Sequence, residues 1–244
     1  MSKRPIRHTC GDSTGLHHAG HHSTVVREAF DRLADGWDER HGWQSPQAEA
    51  VRRRVEYLRA VCRARDRPRV LDVGCGTGLY LLAISDLVSE GIGLDLSPKM
   101  IDRAEHSRHR QDNSTCAPVR FSVGAAESLD ARWGRFDLVI FGGSLEHMRD
   151  PSQVLGRLPP VLKRRGEVVA ILRDPRNPAT ALRRWLRVKD ETPWHRHIGP
   201  AEFQRLAETA GLRCIWMQPL DAGKAWWSMG AIWPPKTYAA HLAL

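Results

Sequence analysis

The chain has 244 residues, of which 41% are hydrophobic, as is ordinary for a globular protein. No apolar stretch approaches the roughly 18 residues of a membrane span, and the basic N-terminus lacks the apolar segment of a secretory signal. The net charge of +9 comes mainly from arginines spread along the whole chain, a distribution that argues against a nucleic-acid partner. We expect a cytoplasmic protein. Five scattered cysteines without a C-x-x-C pair argue against disulfides and structural zinc.

Residues 1–23 are rich in Gly, Ser, Thr and His, and this composition predicts a disordered polar tail. The apolar residues that follow recur at helical spacing, which predicts one helix over residues 24–40 and a second from Pro46 to Cys62. We expect these two helices, residues 24–62, to cover the site as a lid. The rest of the chain up to residue 244 belongs to the same single domain.

Strand and helix patterns alternate from residue 69 onwards. The predicted strands cover residues 69–73, 91–95, 119–123, 136–141, 167–173, 213–217 and 226–233. Helices are predicted over residues 79–87, 99–106, 151–162 and 201–210. This alternation predicts an α/β fold with a doubly wound, seven-stranded, mostly parallel sheet that carries helices on both faces.

The first predicted strand leads into a glycine-rich loop, in the segment VLDVGCGTGLYLL. Glycines at alternate positions let a backbone approach a ligand closely, and the following helix presents free N–H groups. A dinucleotide fingerprint would need a third glycine where Leu79 stands, and no Gly-Lys-Ser/Thr triplet of a P-loop occurs. The loop therefore predicts a ligand other than these two.

Asp95 ends the second predicted strand, about 20 residues after the loop, which is the spacing at which an acidic residue reaches a ribose. Its two oxygens can accept hydrogen bonds from both ribose hydroxyls. The third strand is followed by Gly124-Ala125-Ala126-Glu127, and the fourth by the segment FDLVIFGGSLEHMRDP.

These motifs, in this order, resemble class I S-adenosylmethionine (SAM) dependent methyltransferases of the small-molecule branch, with a Rossmann-like fold. The likeness is greatest to the ubiquinone-type O-methyltransferases. The resemblance implies SAM as the cofactor, held by Asp72, Gly74, Cys75, Gly76, Gly78, Asp95, Leu96, Ala126 and Glu127. The family commonly has an acidic or amide side chain near the adenine amino group, but Ala125 stands there. The resemblance then implies that adenine recognition rests on the Ala126 backbone amide and a neighbouring side chain.

Transfer to a hydroxyl requires a base, and His147, just after the fourth strand, is the candidate. Glu146 could orient it or bind the acceptor. His195 is a second candidate base, with His197 as its alternative. Some ubiquinone-type relatives hold a metal in this loop, but Gly143 replaces one acidic position here. We therefore expect no metal.

Residues 174–198 form a long connection rich in Arg, Trp and His, which predicts a substrate-side insertion. The resemblance implies methylation of a small-molecule acceptor, at oxygen rather than nitrogen or carbon, in natural-product or quinone biosynthesis. Two alternatives remain at this point: an RNA methyltransferase, and a SAM-binding protein without catalysis. The sequence does not reveal the oligomeric state.

Overall fold

The computed structural model describes residues 14–110, 117–178, 182, 185–186, 196–220 and 237–244. Its α-helices are α1 (Thr14–Leu33), α2 (Trp37–His41), α3 (Ala48–Arg63), α4 (Leu79–Ala83), α5 (Pro98–Arg110), α6 (Pro151–Gly156) and α7 (Pro200–Thr209). Its strands are β1 (Arg69–Val73), β2 (Glu90–Asp95), β3 (Val119–Val123), β4 (Phe136–Phe141), β5 (Leu162–Arg173), β6 (Arg213–Pro219) and β7 (Thr237–Ala243). Short 3-10 helices lie between several of these elements.

The strands form one sheet in the order β3-β2-β1-β4-β5-β7-β6. The pairs from β3 to β5 are parallel, whereas β7 runs antiparallel to both β5 and β6. The order reverses beside β1, because β2 and β3 extend to one side of it and β4 and β5 to the other. A crevice forms at the carboxyl ends of the strands at such a point. The predicted doubly wound, mostly parallel sheet is confirmed.

Buried side chains cover both faces of the sheet. One cluster includes Phe136 of β4, Leu155 of α6 and Phe203 of α7, all fully buried. The other includes Leu58 of α3 and Leu81 of α4. An internal parallel strand is covered on both faces, which is why the β4 sequence FDLVIF is almost continuously apolar.

The N-terminal helices differ from the prediction. Helix α1 begins at Thr14 instead of Thr24 and ends at Leu33, and α2 follows Gly36, whose φ of 72° interrupts the helix. Residues 14–23 are therefore helical, although their polar composition predicts a tail. Part of the reason is His22, which is buried and bonds to the site loop, since such a tertiary contact supports additional helical turns. Residues 1–13 lie outside the described residues, as do the side chains of residues 14–21.

Two further helices differ from the prediction, and one predicted strand is not among the described residues. The predicted helix over 151–162 is α6 followed by a 3-10 turn at Pro159–Val161, because consecutive prolines cannot continue an α-helix. The helix predicted over 79–87 similarly becomes α4 and a 3-10 turn. The strand predicted over 226–233 lies outside the described residues, and β7 is the seventh strand of the sheet. None of the described helices is long and apolar enough to cross a membrane.

Candidate active site

A cavity of about 1250 Å³ lies at the carboxyl ends of β1, β2 and β4. The glycine loop after β1, Asp95 at the end of β2 and the turn after β4 all line it. Residues of α1, α2 and α3 form its outer wall, among them Phe30 and Trp37. The cavity thus brings together chain segments that are more than 100 residues apart in sequence.

The three glycines of the loop have different roles, although all have positive φ values, of 72°, 55° and 78° for Gly74, Gly76 and Gly78. A Cβ on Gly74 would lie 2.3 Å from the Ser144 Cβ, and one on Gly78 would lie 2.6 Å from the Phe121 ring. A Cβ on Gly76 would meet only the Trp37 Nε1, at 3.9 Å, and would project into the cavity. Gly76 leaves room for a ligand, whereas the other two allow close packing.

Asp95 lies half-buried in the cavity wall, where main-chain N–H groups hold its carboxylate. Gly76 N–H donates to Oδ2 at 2.8 Å, and Ser97 N–H donates to Oδ1 at 2.9 Å. Burial raises the pKa of Asp95, while these hydrogen bonds oppose that rise. Each oxygen keeps a lone pair for a further donor, so the carboxylate can bind two hydroxyls at once.

Asp72 occupies a different environment from the one its predicted cofactor contact requires. It is fully buried on β1, does not line the cavity, and neither of its oxygens has a hydrogen-bond partner among the described residues. Burial, reinforced by the nearby charge of Asp95, raises the Asp72 pKa to about 7. Asp72 lies beneath the glycine loop and does not reach the cavity. Gly78 likewise does not line it.

The remaining predicted cofactor residues line the cavity. Cys75 does so as a small buried side chain, and burial raises its thiol pKa well above the ordinary value, which disfavours a reactive thiolate. Leu96 follows Asp95, and Ala126 and Glu127 begin a 3-10 helix after β3. Ala125, in the position where the family commonly has an acid or amide, also lines the cavity.

His147 and Glu146 point in different directions. They share a 3-10 helix after β4, and both contribute to the cavity lining. The His147 ring packs edge-on against the Phe30 ring, with 5.2 Å between the ring centroids. The main-chain carbonyl oxygen of His147 lies 3.2 Å from His22 Nε2. The buried Glu146 carboxylate accepts the Arg173 N–H at 3.2 Å. Glu146 therefore connects this turn to β5.

Of the two alternative bases, the structure describes His197 and not His195. His197 lines the cavity, whereas His195 lies outside the described residues. The same is true of most of the insertion predicted over residues 174–198. No group of three or more His, Cys, Asp or Glu side chains in the described part of the chain could hold a metal ion.

Two contacts between the N-terminal helices and the cavity loops are absent from the sequence prediction. Ser97 Oγ donates to Asp31 of α1 at 2.5 Å, and Thr77 Oγ1 donates to Asp38 of α2 at 2.7 Å. Ser97 follows Asp95 by two residues, and Thr77 follows Gly76. The N-terminal helices are thus bonded to the same loops that present Gly76 and Asp95. The aspartates stand near helix ends without any motif, so no sequence signal identifies them.

The family model described as "Methyltransferase domain" matches residues 71–170. A ubiquinone biosynthesis O-methyltransferase of Cereibacter sphaeroides is 30% identical over 202 residues, covering 75% of this chain and 80% of that protein. This chain belongs to the class I SAM-dependent methyltransferases. The methyltransferase fold agrees with solved structures. These include magnesium protoporphyrin IX methyltransferase of Synechocystis with bound SAH, at 17% identity and a TM-score of 0.68 over 90% of this chain and 98% of that one.

Another similar structure is the CcbJ methyltransferase of Streptomyces caelestis, at 17% identity, with a TM-score of 0.65 over 88% of this chain and 97% of that one. Identities this low establish the shared fold and nothing about the acceptor. The methyltransferase uses SAM, as its family does, and structural neighbours were solved with SAM or its product bound.

The raised pKa of Asp72 predicts an unusual dependence of stability on pH. The folded state holds this proton more tightly than the unfolded state, so the carboxyl destabilises the fold increasingly as pH rises towards about 7. The free energy of unfolding of Asp72→Asn should therefore rise relative to that of wild type by roughly 2–3 kcal/mol as the pH goes from 5 to 8. Chemical denaturation at both pH values measures this gain.

The matched control is Asp130→Asn. The Arg132 side chain lowers the Asp130 pKa, so this carboxylate stays ionised from pH 5 to pH 8, and the difference from wild type should stay constant. A constant difference for Asp72→Asn as well would contradict the assigned burial.

Asp95→Asn should weaken binding of S-adenosylhomocysteine (SAH) by about 1–3 kcal/mol, since one charge-assisted contact is lost. Calorimetric titration of the folded variant measures the change. Asp102→Asn, exposed on α5, is the control and should bind as wild type does. Undiminished affinity of Asp95→Asn would exclude a ribose contact.

Proposed function

We propose that this methyltransferase transfers the methyl group of SAM to a hydroxyl oxygen of a small-molecule acceptor, with His147 as the general base. The observation that carries the proposal is that one cavity is lined by Gly76, by Asp95 and by His147. A nucleoside-binding carboxylate and a potential base thereby face one enclosed space.

The donor side of this cavity fits SAM in its own geometry. The absence of a Cβ on Gly76 leaves space beside the loop, and Asp95 retains acceptor capacity on both oxygens for a ribose. Leu96, Ala126 and Glu127 line the same cavity, and we assign them to the adenine. The helix N-terminus after the glycine loop adds N–H groups suited to the cofactor's carboxylate.

Bound SAM supplies an electrophilic methyl carbon, and the electron pair of its broken C–S bond stays on sulfur in SAH. His147 accepts the proton as the acceptor oxygen forms its new bond to carbon. The edge-on contact with Phe30 and the position of the ring in a 3-10 turn hold the imidazole in place. Positioning of this kind accounts for much of the rate in a displacement reaction.

The N-terminal helices serve as the lid. Phe30 and Trp37 are apolar surfaces over the cavity, and their rings pack edge-to-face with centroids 5.8 Å apart. The Asp31–Ser97 and Asp38–Thr77 hydrogen bonds fasten these helices to the cofactor loops. Excluding water here strengthens electrostatic interactions and protects the reacting groups.

The relatives favour a small acceptor. The name of the Cereibacter protein describes it as an O-methyltransferase of ubiquinone biosynthesis. A screen of hydroxylated aromatic compounds, scored by SAH release, tests the function directly. SAH that accumulates only with a small acceptor supports the proposal. SAH release with RNA alone, or with no compound at all, contradicts it.

His147→Gln should lower kcat by roughly 10²–10⁴-fold, the ordinary contribution of a general base. Affinity for SAH should be unchanged, because His147 is assigned to the acceptor and not to the cofactor. The control, His109→Gln, changes an exposed side chain at the end of α5 and should leave kcat unchanged. A fully active His147→Gln variant would remove this residue as the base.

Activity should survive extensive chelation, because His147 has no cluster of ligands around it in the described residues. The measurement is methyl transfer after dialysis against EDTA, with and without added magnesium. Loss of activity that magnesium restores would show that a metal is required.

A further inference from the structure

Arg173 stands beside the turn that carries the proposed base. It ends β5, and its main-chain N–H donates to Glu146 Oε1 at 3.2 Å. Glu146 is the sequence neighbour of His147, so this bond fixes the Arg173 backbone next to the base. The Arg173 residue is half-buried and lines the cavity.

The carboxylates next to Arg173 are already engaged. Asp174 is fully buried and pairs with Arg176 at 2.7 Å, and Glu146 accepts the Arg173 N–H. Among the residues that the structure describes, none forms an ion pair with the Arg173 guanidinium. A partly buried guanidinium is stabilised by an anionic partner, for which its planar set of donors is well suited.

The surroundings of Arg173 extend this site. Thr237 at the start of β7 pairs with Arg173 in the sheet register, is 3% exposed and lines the same cavity. On the other side of the β4 end, Arg54 of α3 donates to the Tyr80 hydroxyl at 3.2 Å. The Tyr80 ring packs against Gly142, where a Cβ would lie 2.6 Å from the ring. Thr237 thus adjoins Arg173 in the sheet, and Arg54 lies near the β4 end through its contact with Tyr80.

We propose that Arg173 determines acceptor specificity by binding an acidic group, a carboxylate or a phosphate, on the acceptor. The inference rests on the proposed function, because it places the acidic group beside the hydroxyl that His147 would deprotonate. The acceptor is therefore an acid that bears a hydroxyl group.

The carboxylate of SAM itself is a competing partner, and the sheet topology argues against it. Gly76 and Asp95 follow β1 and β2, on one side of the reversal point. Arg173 follows β5, which lies on the other side, beyond β4. Arg173 is thus on the acceptor side of the cavity.

The test uses the full chain saturated with SAH and calorimetric titration of matched ligands. The acidic probes are 3,4-dihydroxybenzoate and 4-hydroxyphenyl phosphate, and the neutral probe is methyl 3,4-dihydroxybenzoate. We expect at least one acid to bind at least tenfold more tightly than the ester. Arg173→Gln should abolish this preference, and Arg173→Lys should keep part of it because the charge remains. Arg164→Gln, exposed near the opposite end of β5, should bind as wild type does.

The two acids distinguish the chemistry, since preference for one identifies a carboxylate or a phosphate site. Equal affinity for acids and ester, absence of saturable binding of both acids, or equal losses in Arg164→Gln would overturn the proposal. A loss of SAH affinity in Arg173→Gln would also overturn it, by assigning the residue to the cofactor. Failure of SAH to bind wild type would instead contradict the proposed function.

Discussion

The site depends on the close approach of two loops at Gly74. Its N–H and that of Cys75 donate to the Leu94 carbonyl on β2, while Ser144 of the loop after β4 donates to the Val73 carbonyl on β1. Any side chain at position 74 would overlap Ser144. Because His147 stands three residues beyond Ser144, this contact sets how far the proposed base is from the cofactor loop. Gly74, which also lines the cavity, thus sets the distance between the glycine loop and the turn that carries the proposed base.

The same packing places two carboxylates in a poorly solvated region. The Asp95 carboxylate is stabilised by main-chain N–H groups, whereas Asp72 has no such partner in the described residues and its pKa rises to about 7. Their mutual repulsion adds to the cost of desolvation. A positively charged ligand reduces that cost, and SAM carries a sulfonium. A cationic ligand beside these carboxylates would therefore be bound more tightly than a neutral ligand of the same shape.

Sequence patterns predict those strands and loops whose conformation depends on residues close together in the chain. The apolar runs of β1, β2 and β4 and the glycines between them establish strands and loop, and the spacing from Gly74 to Asp95 indicates the ribose carboxylate. The motif predicts a cofactor contact for Asp72, which is fully buried and does not line the cavity; motif membership does not distinguish a side chain that faces a ligand from one beneath the loop. The Asp31–Ser97 contact spans 66 residues without periodicity, so only the folded structure reveals it. The start of α1 at Thr14 is not predicted either, because it depends in part on the contact that His22 makes with the distant turn after β4.

The two halves of the cavity therefore differ in the kind of group that forms them. The half proposed to bind the methyl donor consists largely of backbone groups and short side chains on loops whose geometry the sheet imposes. The half proposed to bind the acceptor includes Arg54 of α3, Arg173 of β5 and Thr237 of β7, side chains that can change without altering the fold. This difference explains why 17% identity preserves the architecture shared with other methyltransferases. It also explains why the acceptor must be inferred from individual residues such as Arg173 and not from the fold.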